Sequence, residues 1–258
     1  MIFDFKRNRI IFVVGLVMTL LAAVVLLQID ANPENIFIAS AIAALIIWVI
    51  LRKTTVHEMQ QLQIKFMLHC NPTAFKEAYV KLLTKGFSYD KRWTITKHQN
   101  AILGAIFSGD QTTAKHYLDL LESRHSNTLE KQPIYRYSHA VTQALYAVYY
   151  EDESVIFNRL ESLKSAFEKL PATAKKTIEK NINGFHYWFE LTERYVLNDS
   201  TDTDKFVEKL KELSPFFQIS GHFFLKRFNV DNYEAELIPP KHHMFQEYDM
   251  KFLVSKDI

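Results

Sequence analysis

Two uncharged apolar runs near the N-terminus constrain this chain more than any other feature. Ile10 to Leu27 and Ile36 to Leu51 contain no Asp, Glu, Lys, Arg or His. As a helix the first run is about 27 Å long at about 1.5 Å per residue, close to the roughly 30 Å hydrocarbon core of a bilayer. The second is slightly shorter and spans if Trp48 sits at an interface while Arg52 and Lys53 reach for the headgroups. The expected spans are about 10–28 and 36–51. Between them Gln28 to Asn35 is polar and holds Pro33, as the connector of a helical hairpin would. Small residues at four-residue spacing, Gly15 with Thr19, Ala39 with Ala43 and Ser40 with Ala44, would let the two helices approach closely.

The basic residues give the orientation. Lys6, Arg7 and Arg9 precede the first run and Arg52 and Lys53 follow the second, whereas the connector carries only Asp30 and Glu34. By the positive-inside rule both ends of the hairpin face the cytoplasm, so everything after Arg52 is expected to be cytosolic. A cleaved secretory signal is the competing reading. The first run exceeds the usual ~7–15 apolar residues, no A-x-A site follows it, and a second apolar run comes directly after. Two buried core helices of a soluble protein are the other alternative, but neither run has the polar stripe such helices show. No ionisable residue lies inside either run, so nothing marks an ion or proton path, and the hairpin reads as an anchor.

Beyond Arg52 the apolar residues recur at spacings of three and four. Met59, Leu62, Phe66 and Cys70 form one stripe, Tyr137, Val141, Ala144 and Val148 another, and Ile156, Leu160, Leu163, Phe167 and Leu170 a third. No segment sustains the period-two alternation of a strand, so the expected class is all-α. Breakers recur about every forty residues, at Asn71-Pro72, Gly109-Asp110, Glu151-Asp152 and Asn198-Asp199. Asp110, Asp152 and Ser200 suit N-caps, because a side-chain oxygen can accept from the orphan N–H groups of a first turn. With longer breaks at Lys85-Gly86, Ser126-Asn127 and Leu170-Pro171, four antiparallel helix pairs are expected: 56–70/72–85, 91–108/110–125, 132–150/152–170 and 172–197/202–214.

Within the second pair, Leu103-Gly104, Phe107 and Ala114 resemble a tetratricopeptide repeat. In that family Leu-Gly lies in the first helix, an aromatic follows three residues on, and a small residue marks where the second helix crosses it. The first helix here ends early, no other pair repeats Leu-Gly, and the period exceeds the family's 34 or so. The resemblance therefore implies a tetratricopeptide-like α-solenoid of about four helix pairs over residues 54–214, with a concave protein- or peptide-binding surface. Residues 1–53 form the hairpin and 215–258 a capping element and tail. No Gly or Pro lies between Ile36 and Pro72, so the second membrane helix can run on into the first repeat helix and fix its orientation; a break at the β-branched pair Thr54-Thr55 is the alternative.

Pro215 to Phe228 is dense in aromatics, as expected of an element covering the open end of a helix stack. Chemistry is harder to find. The chain of 258 residues holds one Cys and six Gly, which leaves no disulfide framework, no Cys-rich metal site and little material for a phosphate loop. Walker, G-x-G-x-x-G, G-x-S-x-G and kinase signatures are absent, so neither a catalytic residue nor a cofactor is expected. Thirty-one basic and 29 acidic residues give a net charge of +2, no reason to expect nucleic acid. His242-His243 with Glu247 and Asp249 is the densest cluster of metal-ligand types, but it lacks a second cluster to complete a ligand set.

The function expected from sequence is a non-catalytic, membrane-anchored cytosolic scaffold or adaptor, in a bacterial setting, that binds a protein or peptide near the bilayer. Periodicity puts Gln99, Asn100, Arg136, His139, Gln143, Asn183 and His186 on the exposed face of the first helices of the pairs, as candidate partner contacts. One alternative is an accessory subunit of a transport or secretion complex assembled through the hairpin. The other is a metal-dependent enzyme using His242, His243 and Glu247.

Overall fold

The computed structural model describes residues 6–28, 32–68, 71–85, 91–181, 189–190, 193–194 and 203–218. Every regular element among the described residues is helical: α1 (Lys6–Gln28), α2 (Pro33–Met67), α3 (Pro72–Lys85), α4 (Lys91–Phe107), α5 (Gln111–Lys131), α6 (Pro133–Tyr150), α7 (Glu153–Glu168), α8 (Ala172–Asn181) and α9 (Thr203–Lys211). Three of these begin on Pro, whose missing N–H costs nothing at a first helical position. Asn71 caps α3 by accepting from Ala74 N at 2.9 Å, and Asp110 caps α5 by accepting from Thr113 N at 3.0 Å. Asp152 precedes α7 without a side-chain cap bond, so only its backbone serves the helix start. Ser200 lies outside the described residues.

The turn from α4 to α5 has a specific geometry. Asp110 N donates to Ala105 O at 2.9 Å and Gly109 N to Ile106 O at 3.1 Å, with Gly109 at a φ of 75°. This paired closure of a helix end needs a left-handed residue, which glycine supplies without a Cβ clash. Sequence spacing misplaced one boundary. The break expected at Ser126-Asn127 does not occur, and α5 continues to Lys131. Burial of Leu129 rewards the extra turn, and the helix ends at Gln132 because the following Pro133 disfavours helical backbone there. Likewise α2 is unbroken at Thr54-Thr55, where both hydroxyls bond back to backbone carbonyls of the preceding turn.

The chain divides into two compact units, Met1–Leu62 with Lys81–Thr94, and Gln63–Val80 with Ile95–Ile258. In the first, α1 and the body of α2 are both long and apolar enough to cross a membrane. Their most apolar windows are 0% and 6% buried, unlike the mostly buried core helix of a soluble protein. The helices pack antiparallel along a narrow seam. A Cβ on Gly15 would come within 2.7 Å of Ile47 Cδ1, so the missing side chain is what lets α1 approach. Thr19, Ala23, Ser40 and Ala43 are half-buried in the same register, while Ala39 and Ala44 face outward. At one end of the seam Asn8 is fully buried, its amide nitrogen donating to Thr55 Oγ1 at 2.5 Å and its oxygen lying 2.6 Å from the Thr54 hydroxyl. Arg7 stands beside it, 3.8 Å from Glu58.

The second unit is organised around an aromatic core. Phe66 stacks on Phe75 with ring centroids 4.7 Å apart, and Phe216 lies 4.6 Å from Phe66 and 4.7 Å from Phe107. Tyr79, Tyr149 and Phe217 extend the cluster. Phe216 is thus a core residue of the second unit. It fills the space between the end of α2 and α4, where a fully buried ring removes a large apolar surface from water. Residues 219–228 of the aromatic stretch lie outside the described residues.

Candidate functional site

Helix α6 is sandwiched between α5 and α7 over its second half, where Ala144 to Tyr149 are all buried. That explains an almost all-round apolar sequence in this segment. Its first half is different. Arg136, His139, Ala140 and Gln143 lie at helical spacings of three and four, so they share one face. This face and Glu161, Ser162, Ser165, Ala166 and Lys169 from the α7 side line a cleft of about 450 Å³. Ala140 and Ala166 are buried at its floor, and two short side chains there hold the helices close while leaving room above them.

His139 anchors one wall. Its Nε2 lies 3.3 Å from Glu122 Oε1 on α5, and the Gln143 amide nitrogen donates to the same oxygen at 2.7 Å. With the proton on Nε2 facing Glu122, Nδ1 is a buried acceptor with no hydrogen-bond partner among the described residues. Burial pushes the His139 pKa down, and the Arg159 charge adds to this against the opposing pull of Glu122, so the imidazole is neutral near pH 7. The Arg136 guanidinium donates to the backbone carbonyl of Glu130 at the end of α5. Glu161 sits 3.5 Å from Lys164 on the outer rim.

Of the residues proposed from sequence, Arg136, His139 and Gln143 come together in this cleft. Gln99 does not: it is only 8% exposed, and its amide nitrogen donates to Ser138 Oγ at 2.8 Å, tying α4 to α6. Asn100 is half-buried and hydrogen-bonds the Tyr79 phenol, whose burial pushes its pKa up to about 12. Asn183, His186, His242, His243 and Glu247 lie outside the described residues. Glu122 and the α7 residues escape a sequence reading that looks only at the first helix of each pair. A cue was present in Ser162, Ser165 and Ala166, three small residues flanking the apolar stripe of α7. Among the described residues no three His, Cys, Asp or Glu side chains converge as metal ligands would. Compared with protein-family models, curated proteins and solved structures, the chain matches none of them.

Proposed function

We propose that this chain is a membrane-anchored, cytosol-facing helical adaptor of tetratricopeptide-like kind, non-catalytic, that takes a protein or peptide segment into the α6–α7 cleft. The observation that carries the reading is the cleft itself: a small-residue floor, polar walls from two helices, and an arginine and a lysine at the rim. A groove of this composition suits a peptide backbone and its side chains better than a buried apolar ligand. Anchoring is supported by the uniformly exposed apolar faces of α1 and α2. A cytoplasmic position for both hairpin ends follows from Lys6, Arg7, Arg9, Arg52 and Lys53 by the positive-inside rule.

A photoreactive amino acid at Ser162 in the full-length protein in intact cells tests the cleft. A discrete adduct should form there, and none from the same probe at Lys115 on the exposed side of α5. Equal labelling at both positions would overturn the reading. Exchanging residues 6–51 for an unrelated two-span anchor should leave the Ser162 adduct intact, whereas a subunit assembled through its hairpin would lose it. Protease added to unbroken cells should spare a C-terminal tag; digestion of the tag would reverse the orientation.

A further inference from the structure

Resting on that reading, we propose that the segment bound in the α6–α7 cleft is acidic: an extended stretch of about three residues carrying an Asp or Glu that pairs with Arg136 and Lys169. The charges on the lining decide the sign. Four lining residues can carry charge: Arg136, His139, Glu161 and Lys169. Glu161 shares Lys164 with Glu193, which lies closer to it, and His139 is held neutral by burial while it faces Glu122. Arg136 donates to a neutral carbonyl, and among the described residues neither it nor Lys169 has a carboxylate oxygen within 4.0 Å. The lining therefore sets two cations that have no carboxylate partner among the described residues against one carboxylate that shares its lysine, and Arg159, close enough to act on His139, adds to the positive sign. An acidic group satisfies this field and a basic one is repelled by it.

Register sets the length and polarity of the occupant. Tyr137 on α6 contacts Phe167 on α7, with ring centroids 5.8 Å apart, in an antiparallel pair. Arg136 and Lys169 consequently stand at one end of the cleft, and Gln143 and Ser162 at the other. From Arg136 to Gln143 is two helical turns, about 10 Å, which matches roughly three residues of extended chain. At the far end the Gln143 amide nitrogen is taken by Glu122, leaving its oxygen to accept a peptide N–H. Ser165 adds a hydroxyl along the α7 wall. The anion belongs at the Arg136–Lys169 end, the backbone over Ala140 and Ala166.

Selection from a random heptapeptide phage library on the full-length protein in detergent micelles tests this, with Ser162→Trp as a cleft-filling control and far-ultraviolet circular dichroism confirming that each variant is folded. Sequences with Asp or Glu should be enriched, and a synthetic peptide from that pool should bind roughly tenfold more weakly to Arg136→Ala/Lys169→Ala, the combined loss of two exposed charge pairs. The Arg136→Glu/Lys169→Glu variant should select Lys or Arg instead. Enrichment that Ser162→Trp abolishes but that shows no acidic preference overturns this inference while sparing the peptide-binding reading. No enrichment sensitive to Ser162→Trp overturns both.

Discussion

Gly104 on α4 stands directly against the backbone of α3 at Lys76: a Cβ there would lie 2.8 Å from the Lys76 nitrogen and 2.9 Å from its Cα. Backbone cannot swing away as the end of a side chain can. The glycine in the Leu-Gly pair that resembles a repeat signature thus has a physical task, to let two helices touch through their main chains. On the other side of the same contact, Lys76 Nζ reaches Asp110 Oδ2 at 2.9 Å and ties α3 to the cap of α5.

Gly104→Ala opposes two effects. Helix propensity favours alanine by about 1 kcal/mol, whereas forcing α3 and α4 apart costs about 1–3 kcal/mol. The expected result is net destabilisation, larger for Gly104→Leu, read as a lowered midpoint in urea melts of the detergent-solubilised chain. An alanine variant more stable than wild type would mean that α3 and α4 do not meet here.

Phe216→Ala should cost about 3–5 kcal/mol, because it opens a cavity among Phe66, Phe107 and Phe217 in the aromatic core. Phe157→Ala on α7 is the matched control: that ring is 43% exposed, and its loss should shift stability by about 0.5 kcal/mol or less. Thermal melts of the two variants side by side separate core packing from mere loss of an aromatic.

Asn8 is expected to couple to Thr55. Asn8→Leu removes both polar contacts across the hairpin, but the threonine hydroxyls retain their bonds to carbonyls of their own helix. The cost should therefore be moderate, about 1–2 kcal/mol. A double-mutant cycle with Thr55→Val should return a coupling of about 0.5 kcal/mol or more. Strict additivity would remove the clasp.

Acid should weaken the second unit through His139. Its folded pKa lies below the ordinary value of 6.5, chiefly because the ring is buried. Between the two values the unfolded chain binds a proton that the folded chain does not, so stability rises with pH. The contribution is complete above about 6.5 and is lost as pH falls below that value toward the folded pKa. Urea midpoints compared at pH 7.5 and 5.5 should show a decrease in wild type that His139→Gln reduces. An unchanged slope in the variant would assign the effect to other groups.

Asp110 titrates in the opposite sense. Burial alone would raise its pKa, but hydrogen bonds from Lys76 and from the Thr113 backbone outweigh that and hold it low. Its contribution is present above the unfolded value of 3.8 and is lost as pH falls through the folded one. Asp110→Ala should cost about 1 kcal/mol at neutral pH, chiefly as a lost helix cap.

Local chemistry was legible in the chain to the extent that it is decided within a few residues. Pro72, Pro133 and the Gly109-Asp110 pair mark their helix boundaries because φ restriction, a missing donor and a left-handed turn act locally. Ser126-Asn127 misled for the complementary reason: weak local preference for a break was overruled by burial of Leu129. Gln99 looked like a surface contact because it is polar, yet it is buried by bonding to Ser138, 39 positions away.

The amino-acid sequence by itself determined the helical character of the described residues and two helices long and apolar enough to cross a membrane, since hydrophobic length and 3.6-residue periodicity are properties of contiguous residues. Tertiary structure alone decided which faces meet. It set Gly15 against Ile47, returned Phe216 to Phe66, and aligned α5, α6 and α7 so that Glu122 holds His139 in one wall of the cleft that α6 and α7 line. Register between distant helices is fixed by side-chain shape and close packing, and no window along the chain contains both partners.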